Sequence, residues 1–165
     1  MSRVDSRRAY IDALKMLGRR ELSEAQIRQR LARREHDAEA IDAAVAKLLE
    51  ERAIDDTRVA EAIARTETAI RKRGKLRVRR KIESAGIAPA TARRAVDEVF
   101  GSLDDDQLLE SALAKRLRSG TAIADERDFN RLYRYLVGQG FEPDRVLALL
   151  KSKRSAGLSG PRRRP

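Results

Sequence analysis

The sequence holds no cysteine and no tryptophan, a single histidine and only 4% aromatic residues. Without cysteine, neither a disulfide framework nor a thiolate metal site can form. With one histidine, a ligand cluster or a nucleophile–base pair lacks its usual second member. Long hydrophobic runs are missing too. The longest covers the five residues Val146 to Leu150, far short of a membrane span. The opening stretch MSRVDSRRAY carries no hydrophobic segment of the secretory kind. No stretch alternates apolar and polar residues in the period of a strand, so a sheet is not expected. These absences point to a cytoplasmic protein that makes no membrane contact.

Charge is what the sequence has in quantity. Charged residues make up 38% and the formal net charge is +11. Residues 1–70 carry 14 basic and 14 acidic groups, whereas residues 71–101 carry 10 basic and 3 acidic ones. Residues 102–150 sum to −2 and residues 151–165 to +6. The excess therefore lies in the middle of the chain and at its end, as expected of a polyanion-binding protein.

Helical periodicity repeats along the chain. Ile41, Ala44, Val45, Leu48 and Leu49 follow the spacing of one helix face. The same pattern returns 51 residues later as Ala92, Ala95, Val96, Val99 and Phe100, and Ile27 and Leu31 return as Val78 and Ile82. A looser third copy, 54 residues further on, matches Leu132 and Leu136 to Val78 and Ile82, and Val146, Leu149 and Leu150 to Ala92, Ala95 and Val96. The expected fold is therefore all-α, an elongated array of three tandem three-helix repeats at 7–52, 53–102 and 103–155, with a disordered basic tail at 156–165. Such arrays offer surface to a macromolecule instead of enclosing a catalytic pocket.

Local signals place the helices. Tyr10, Ala13, Leu14 and Leu17 form a stripe that stops at Gly18. Ser23 and Gln26 have the spacing of a capping box, with Leu22 and Ile27 as its staple. Asp37 and Asp56 are candidate N-caps, and Val59, Ala60, Ile63, Ala64 and Ile70 are expected on the buried face of the helix after Asp56. Gly86 and Gly140 fit the position just past a helix, each followed by a proline suited to a first turn, Pro89 and Pro143. Leu109, Leu113 and Leu117 share one side of a helix that begins at Asp104–Asp106, and a loop is expected around Gly120. Phe129, Leu132, Tyr133, Leu136 and Val137 repeat the helical stripe.

No constellation suggests chemistry. The carboxylates Asp55/Asp56, Asp104–Asp106 and Asp125/Glu126 each fall at an expected helix start, where they cap free N–H groups. His36 aligns with Ile87 and Phe141 and is expected to pack in the same turn. Gly138-Gln139-Gly140 follows a helix and not a strand, so it is no dinucleotide fingerprint. Neither an enzyme nor a bound cofactor or metal is expected. The sharpest signal is RKRGKLRVRRK at 71–81, with eight bases and no acid. If Val78, Ile82 and Ala85 face inward, Arg77 and Arg80 point away from them, and Arg73 joins if the helix reaches back that far. Lys75 and Lys81 flank the buried face. The segment has no aromatic, so any nucleic-acid contact would be to the backbone and indifferent to sequence.

Three blocks make the chain recognisable: ALKMLGRRELSEAQIRQRLARRE (13–35), AIDDTRVAEAIARTETAIRKRGKLRVRRKIESAGI (53–87) and RLYRYLVGQGFEPDRV (131–146). Their order and spacing resemble the RecX family, regulators of the RecA recombinase, over most of residues 9–150. The sequence departs from the family pattern at Val59, where an aromatic is usual, at Arg34-Glu35, where a glycine is common, and at Gly138-Gln139-Gly140, where basic residues more often precede the glycine. The resemblance implies a curved molecule of three three-helix units that binds along the groove of RecA filaments on single-stranded DNA. It further implies suppression of filament growth, ATP hydrolysis, strand exchange and SOS coprotease activity, and direct binding to single- and double-stranded DNA. Arg73, Lys75, Arg77, Arg80 and Lys81 are the expected main contacts, with Arg131 and Arg134 secondary, and a monomer is expected. The alternative reading is a helix-turn-helix transcriptional regulator, since Ser23 to Leu49 alone fits that motif. Against it, no strand wing is visible and the strongest charge lies in the second repeat.

Overall fold

A computed structural model of the chain describes residues 3–117 and 123–158. The described residues form helices only: α1 (Arg3–Leu17), α2 (Glu24–Ala32), α3 (Ala38–Glu50), α4 (Asp56–Ala69), α5 (Lys75–Glu83), α6 (Pro89–Gly101), α7 (Asp105–Leu117), α8 (Glu126–Gly138) and α9 (Pro143–Leu158). Helix α9 runs past Ser155, and the loop around Gly120 and residues 159–165 lie outside the described residues. The chain forms two compact units. One comprises Met1–Ala64 and Lys81–Asp97, the other Arg65–Arg80 and Glu98–Pro165. Helices α4, α5 and α6 thus each contribute one stretch to either unit.

In the first unit, α1 packs along α3, with α2 across both. The core of these three helices contains Ala9, Ala13, Met16, Ile27, Leu31, Val45 and Leu48, nearly all inaccessible to solvent. Burying a leucine or isoleucine of this kind contributes roughly 1.5–3 kcal/mol. The stripe on α1 is centred one position away from the expected one. Ala9, Ala13 and Met16 face inward, Tyr10 and Leu17 flank them, and Leu14 is 39% exposed. Leu49, expected to be inside, is 46% exposed. The capping box forms as expected: Ser23 Oγ accepts from Gln26 N at 3.2 Å, and Gln26 Oε1 accepts from Ser23 N at 3.2 Å. Asp37 caps α3 through Ala40 N at 2.7 Å.

The paired aspartates divide their work differently from the expectation. Asp55, not Asp56, caps α4, accepting from Thr57 N at 2.9 Å and Arg58 N at 3.1 Å. Asp56 instead accepts from Glu24 N at 2.9 Å and so satisfies a free donor at the start of α2. His36 packs in its turn and also bonds Asp12 on α1, Nε2 to Oδ2 at 3.1 Å. That bond is the largest influence holding the Asp12 carboxyl below its ordinary value, aided by the charges of Arg34 and Lys15.

In the second unit, α7, α8 and α9 enclose Leu109, Leu113, Phe129, Leu132, Leu136, Val146 and Leu150. Asp104 caps α7 through Asp106 N at 2.9 Å and Asp125 caps α8 through Asp128 N at 2.8 Å. The buried face of α4 continues here through Glu67 and Thr68, 4% and 3% exposed, while Ile70 is 67% exposed. Ile70 lies just past the last residue of α4, its amide still bonded to Thr66 O at 3.1 Å.

Candidate polyanion-binding surface

The basic helix α5 begins without a side-chain cap. Its first turn holds Lys75 and Arg77 and no acid, the wrong sign for the positive end of a helix dipole. Backbone carbonyls of the turn between α8 and α9 supply the missing acceptors. Gly74 N donates to Gln139 O at 2.9 Å and Leu76 N to Gly140 O at 3.2 Å. Arg77 adds a side-chain tie, donating from Nη1 to Gly138 O at 2.8 Å. Gly140 has φ +94°, and a Cβ there would stand 2.3 Å from Arg77 N. The turn can therefore seat α5 only if this residue is glycine.

Several bases of the 71–81 run serve the fold. Helix α5 starts at Lys75, so helical geometry does not reach back to Arg73. Arg73 turns inward instead, its side chain 17% exposed, and pairs with the buried carboxylate of Glu67. Arg71 approaches the same carboxylate at 3.6 Å. A buried carboxylate needs such partners, because an unpaired charge there costs several kcal/mol. Glu67 lies on the apolar stripe of α4, four residues after Ile63 and three after Ala64, and is missing from the expected buried face because of its charge and not its position. Lys75 borders a hollow of about 80 Å³ whose lining includes Asp105 and Glu142, and Arg79 has contacts of its own.

Arg80 and Lys81 remain. Both are exposed, Arg80 opposite the buried Val78 and Ile82 and Lys81 flanking them, and neither has an acidic partner among the described residues. On α8, Arg131 and Arg134 are exposed as well. Arg131 pairs with Asp128 at 2.7 Å, and Arg134 Nε donates to Asn130 O at 3.3 Å. Of the seven expected contact residues, then, the structure leaves Arg80 and Lys81 uncommitted, ties Arg73 and Arg77 into the fold, and gives Lys75, Arg131 and Arg134 local partners. Such a surface can bind anions through charge and guanidinium geometry. It places no base beside a nucleophile.

Known proteins share this fold. A family model described as RecX, first three-helix domain, matches residues 9–48, which take in most of α1 to α3. The regulatory protein RecX of Halorhodospira halophila is 30% identical over 150 residues, covering 90% of each chain. Its counterpart in Chromohalobacter salexigens is 31% identical over 136 residues, 82% of this chain and 86% of that one. A crystal structure of RecX from Lactobacillus salivarius has a TM-score of 0.74 at 20% identity, covering 92% of this chain and 97% of the other. At that identity the match speaks for the fold. The sequence relatives, matched over more than four-fifths of each chain, carry the conclusion that this chain belongs to the RecX family of regulatory proteins.

Proposed function

We propose that the protein regulates RecA: it binds the RecA–single-stranded DNA filament and inhibits filament growth, ATP hydrolysis, strand exchange and SOS coprotease activity without a chemical step of its own. Family membership across nine-tenths of the chain is the observation that carries this reading. The filament as target follows from the family resemblance of the blocks at 13–35, 53–87 and 131–146. The protein acts as a cytoplasmic monomer and needs no cofactor. Docking alone suffices for such a role, because a body laid across neighbouring protomers changes the rates of their addition and loss.

Arg80 and Lys81 make the principal contacts in this reading, supported by Lys75, Arg131 and Arg134. Arg73 and Arg77 contribute by holding α5 in place. Single- and double-stranded DNA bind weakly and without sequence preference at α5, since the basic run 71–81 has no aromatic on which bases could stack.

The test is RecA ATPase on single-stranded DNA, titrated with wild-type protein and with the double variant Arg80→Glu/Lys81→Glu. Both residues are exposed, so the variant keeps its helicity and melting temperature. Inhibition should require about tenfold more of the variant, the equivalent of ~1.4 kcal/mol at the contact. Equal inhibition by both proteins removes α5 from the mechanism, and no inhibition by either removes RecA as the target.

A further inference from the structure

The first unit contains a second cationic site that the charge sum of its sequence conceals. The C-terminal ends of α1 and α2 border a hollow of about 460 Å³ lined by Lys15, Arg19, Arg20, Arg30, Arg33 and Arg34 around Met16. No acid lines it. Several acids of the unit are engaged elsewhere. Glu24 and Asp42 both grip Arg28, at 2.8 and 2.5 Å. Glu21 holds Arg58 at 2.6 Å, and Glu51 takes Lys47 and the Tyr10 hydroxyl. Asp12 reaches Arg34 at 3.6 Å and Lys15 at 3.9 Å, but its shorter bond is to His36. Arg19, Arg20, Arg30 and Arg33 are left with no acidic partner among the described residues. A neutral total over residues 1–70 thus hides a local cluster of bases.

Gathering these bases costs stability. The Arg30 guanidinium is held below its ordinary value, first by burial and then by the like charges of Arg20 and Arg33. The negative ends of two helix dipoles favour a cation at each terminus, which accounts for one base per helix and not for six. We propose that this hollow binds the phosphates of a single-stranded nucleic acid, as a site separate from the contacts assigned to α5. Planar guanidinium forks match phosphate oxygens in pairs. The lining has one apolar side chain, Met16, and no aromatic, so it suits a polar, strongly cationic nucleic-acid contact better than an acidic protein segment, which would want an apolar anchor. A free small phosphate is most often held by backbone N–H groups at helix N-termini or in nests. Here the helices present their carbonyl ends, and side chains must do the binding, as they do along a passing strand.

The test uses the full chain without RecA, so its outcome is independent of the proposed regulatory target. Binding of a labelled oligothymidylate is followed by anisotropy at several salt concentrations, for wild type and for Arg19→Gln/Arg30→Gln/Arg33→Gln. Affinity at low salt should fall about tenfold or more, and the salt dependence of log K should become shallower by ~2, each lost phosphate contact removing about 0.7. The variant should melt at or above the wild-type temperature, because like-charge repulsion has been relieved. If it fails to fold, the exposed single change Arg33→Gln gives the same reading at about 0.7 of slope. Wild-type affinity and slope in the variant overturn the proposal, whatever happens to an Arg80→Gln/Lys81→Gln control. Competition by tripolyphosphate or polyglutamate as effective as that by unlabelled oligothymidylate also overturns it, by identifying a small-anion or an acidic-protein site.

Discussion

Two helices in this chain begin against the turn of the following repeat, and they are fastened by different means. In the first unit, Ser23 Oγ donates to Ala85 O at 2.5 Å while capping its own helix, and Asp56 takes the amide of Glu24. In the second unit, Gly74 and Leu76 give their amides to the carbonyls of Gln139 and Gly140, and Arg77 reaches Gly138. One junction is built from side chains and the other mainly from backbone. Each faces a left-handed glycine, Gly86 at φ +80° or Gly140 at φ +94°. The shared geometry reflects the repeat. The different chemistry explains why α2 carries a capping box, whereas α5 is free to fill its first turn with bases.

The backbone junction is the less forgiving of the two. A Cβ at Gly140 would lie 2.3 Å from Arg77 N and 2.9 Å from Gly74 O. Neither atom can move without shifting α5. Gly140→Ala should therefore destabilise the protein by about 4 kcal/mol, combining left-handed strain with overpacking against backbone, as measured by urea denaturation. A loss below ~1 kcal/mol, the strain alone, would show that the turn gives way and that the junction is not rigid.

At Gly86 the obstacle is a side chain, since a Cβ there would meet Ala25 Cβ at 2.3 Å. Gly86→Ala should cost about 3 kcal/mol. In the background of Ala25→Gly the same change should cost ~1–2 kcal/mol less, a coupling that a double-mutant cycle would resolve. No truncation on α5 can rescue Gly140→Ala in this way, because Arg77 N stays where it is. Additive effects at Gly86 and Ala25 would erase the distinction between the junctions.

What was legible in the sequence follows the range of the forces involved. The caps at Ser23, Asp37 and Asp125 and the glycines at 86 and 140 were readable because each bond or dihedral lies within one turn. Asp56 was misassigned because its partner, the amide of Glu24, lies 32 residues away. The bond from Arg77 to Gly138 spans 61 residues, and no local rule predicts it. The cationic surface was half legible. A run of eight bases is visible in the sequence, but which of them fold inward depends on the buried Glu67 and the turn at 138–140. The hollow in the first unit was invisible for a simpler reason: charge summed along a chain says nothing about charge sorted in space.

Glu35 isolates the conformational part of the comparison. It occupies the same place after α2 that Gly86 occupies after α5 and Gly140 after α8, and it too is left-handed, with φ 62°. No earlier repeat packs on this turn, so a side chain is tolerated there, and Glu35 is exposed. Its strain is local and brings no clash. Glu35→Gly should stabilise the protein by about 0.5–1 kcal/mol, the relief of the left-handed penalty less the added chain entropy of glycine. Thermal unfolding can detect this as a rise of a few degrees or less. A fall in stability on that substitution would mean that the Glu35 side chain has a binding role within the first unit. Left-handed strain would then weigh less in the choice of glycine at the two junctions than the approach of the neighbouring helix.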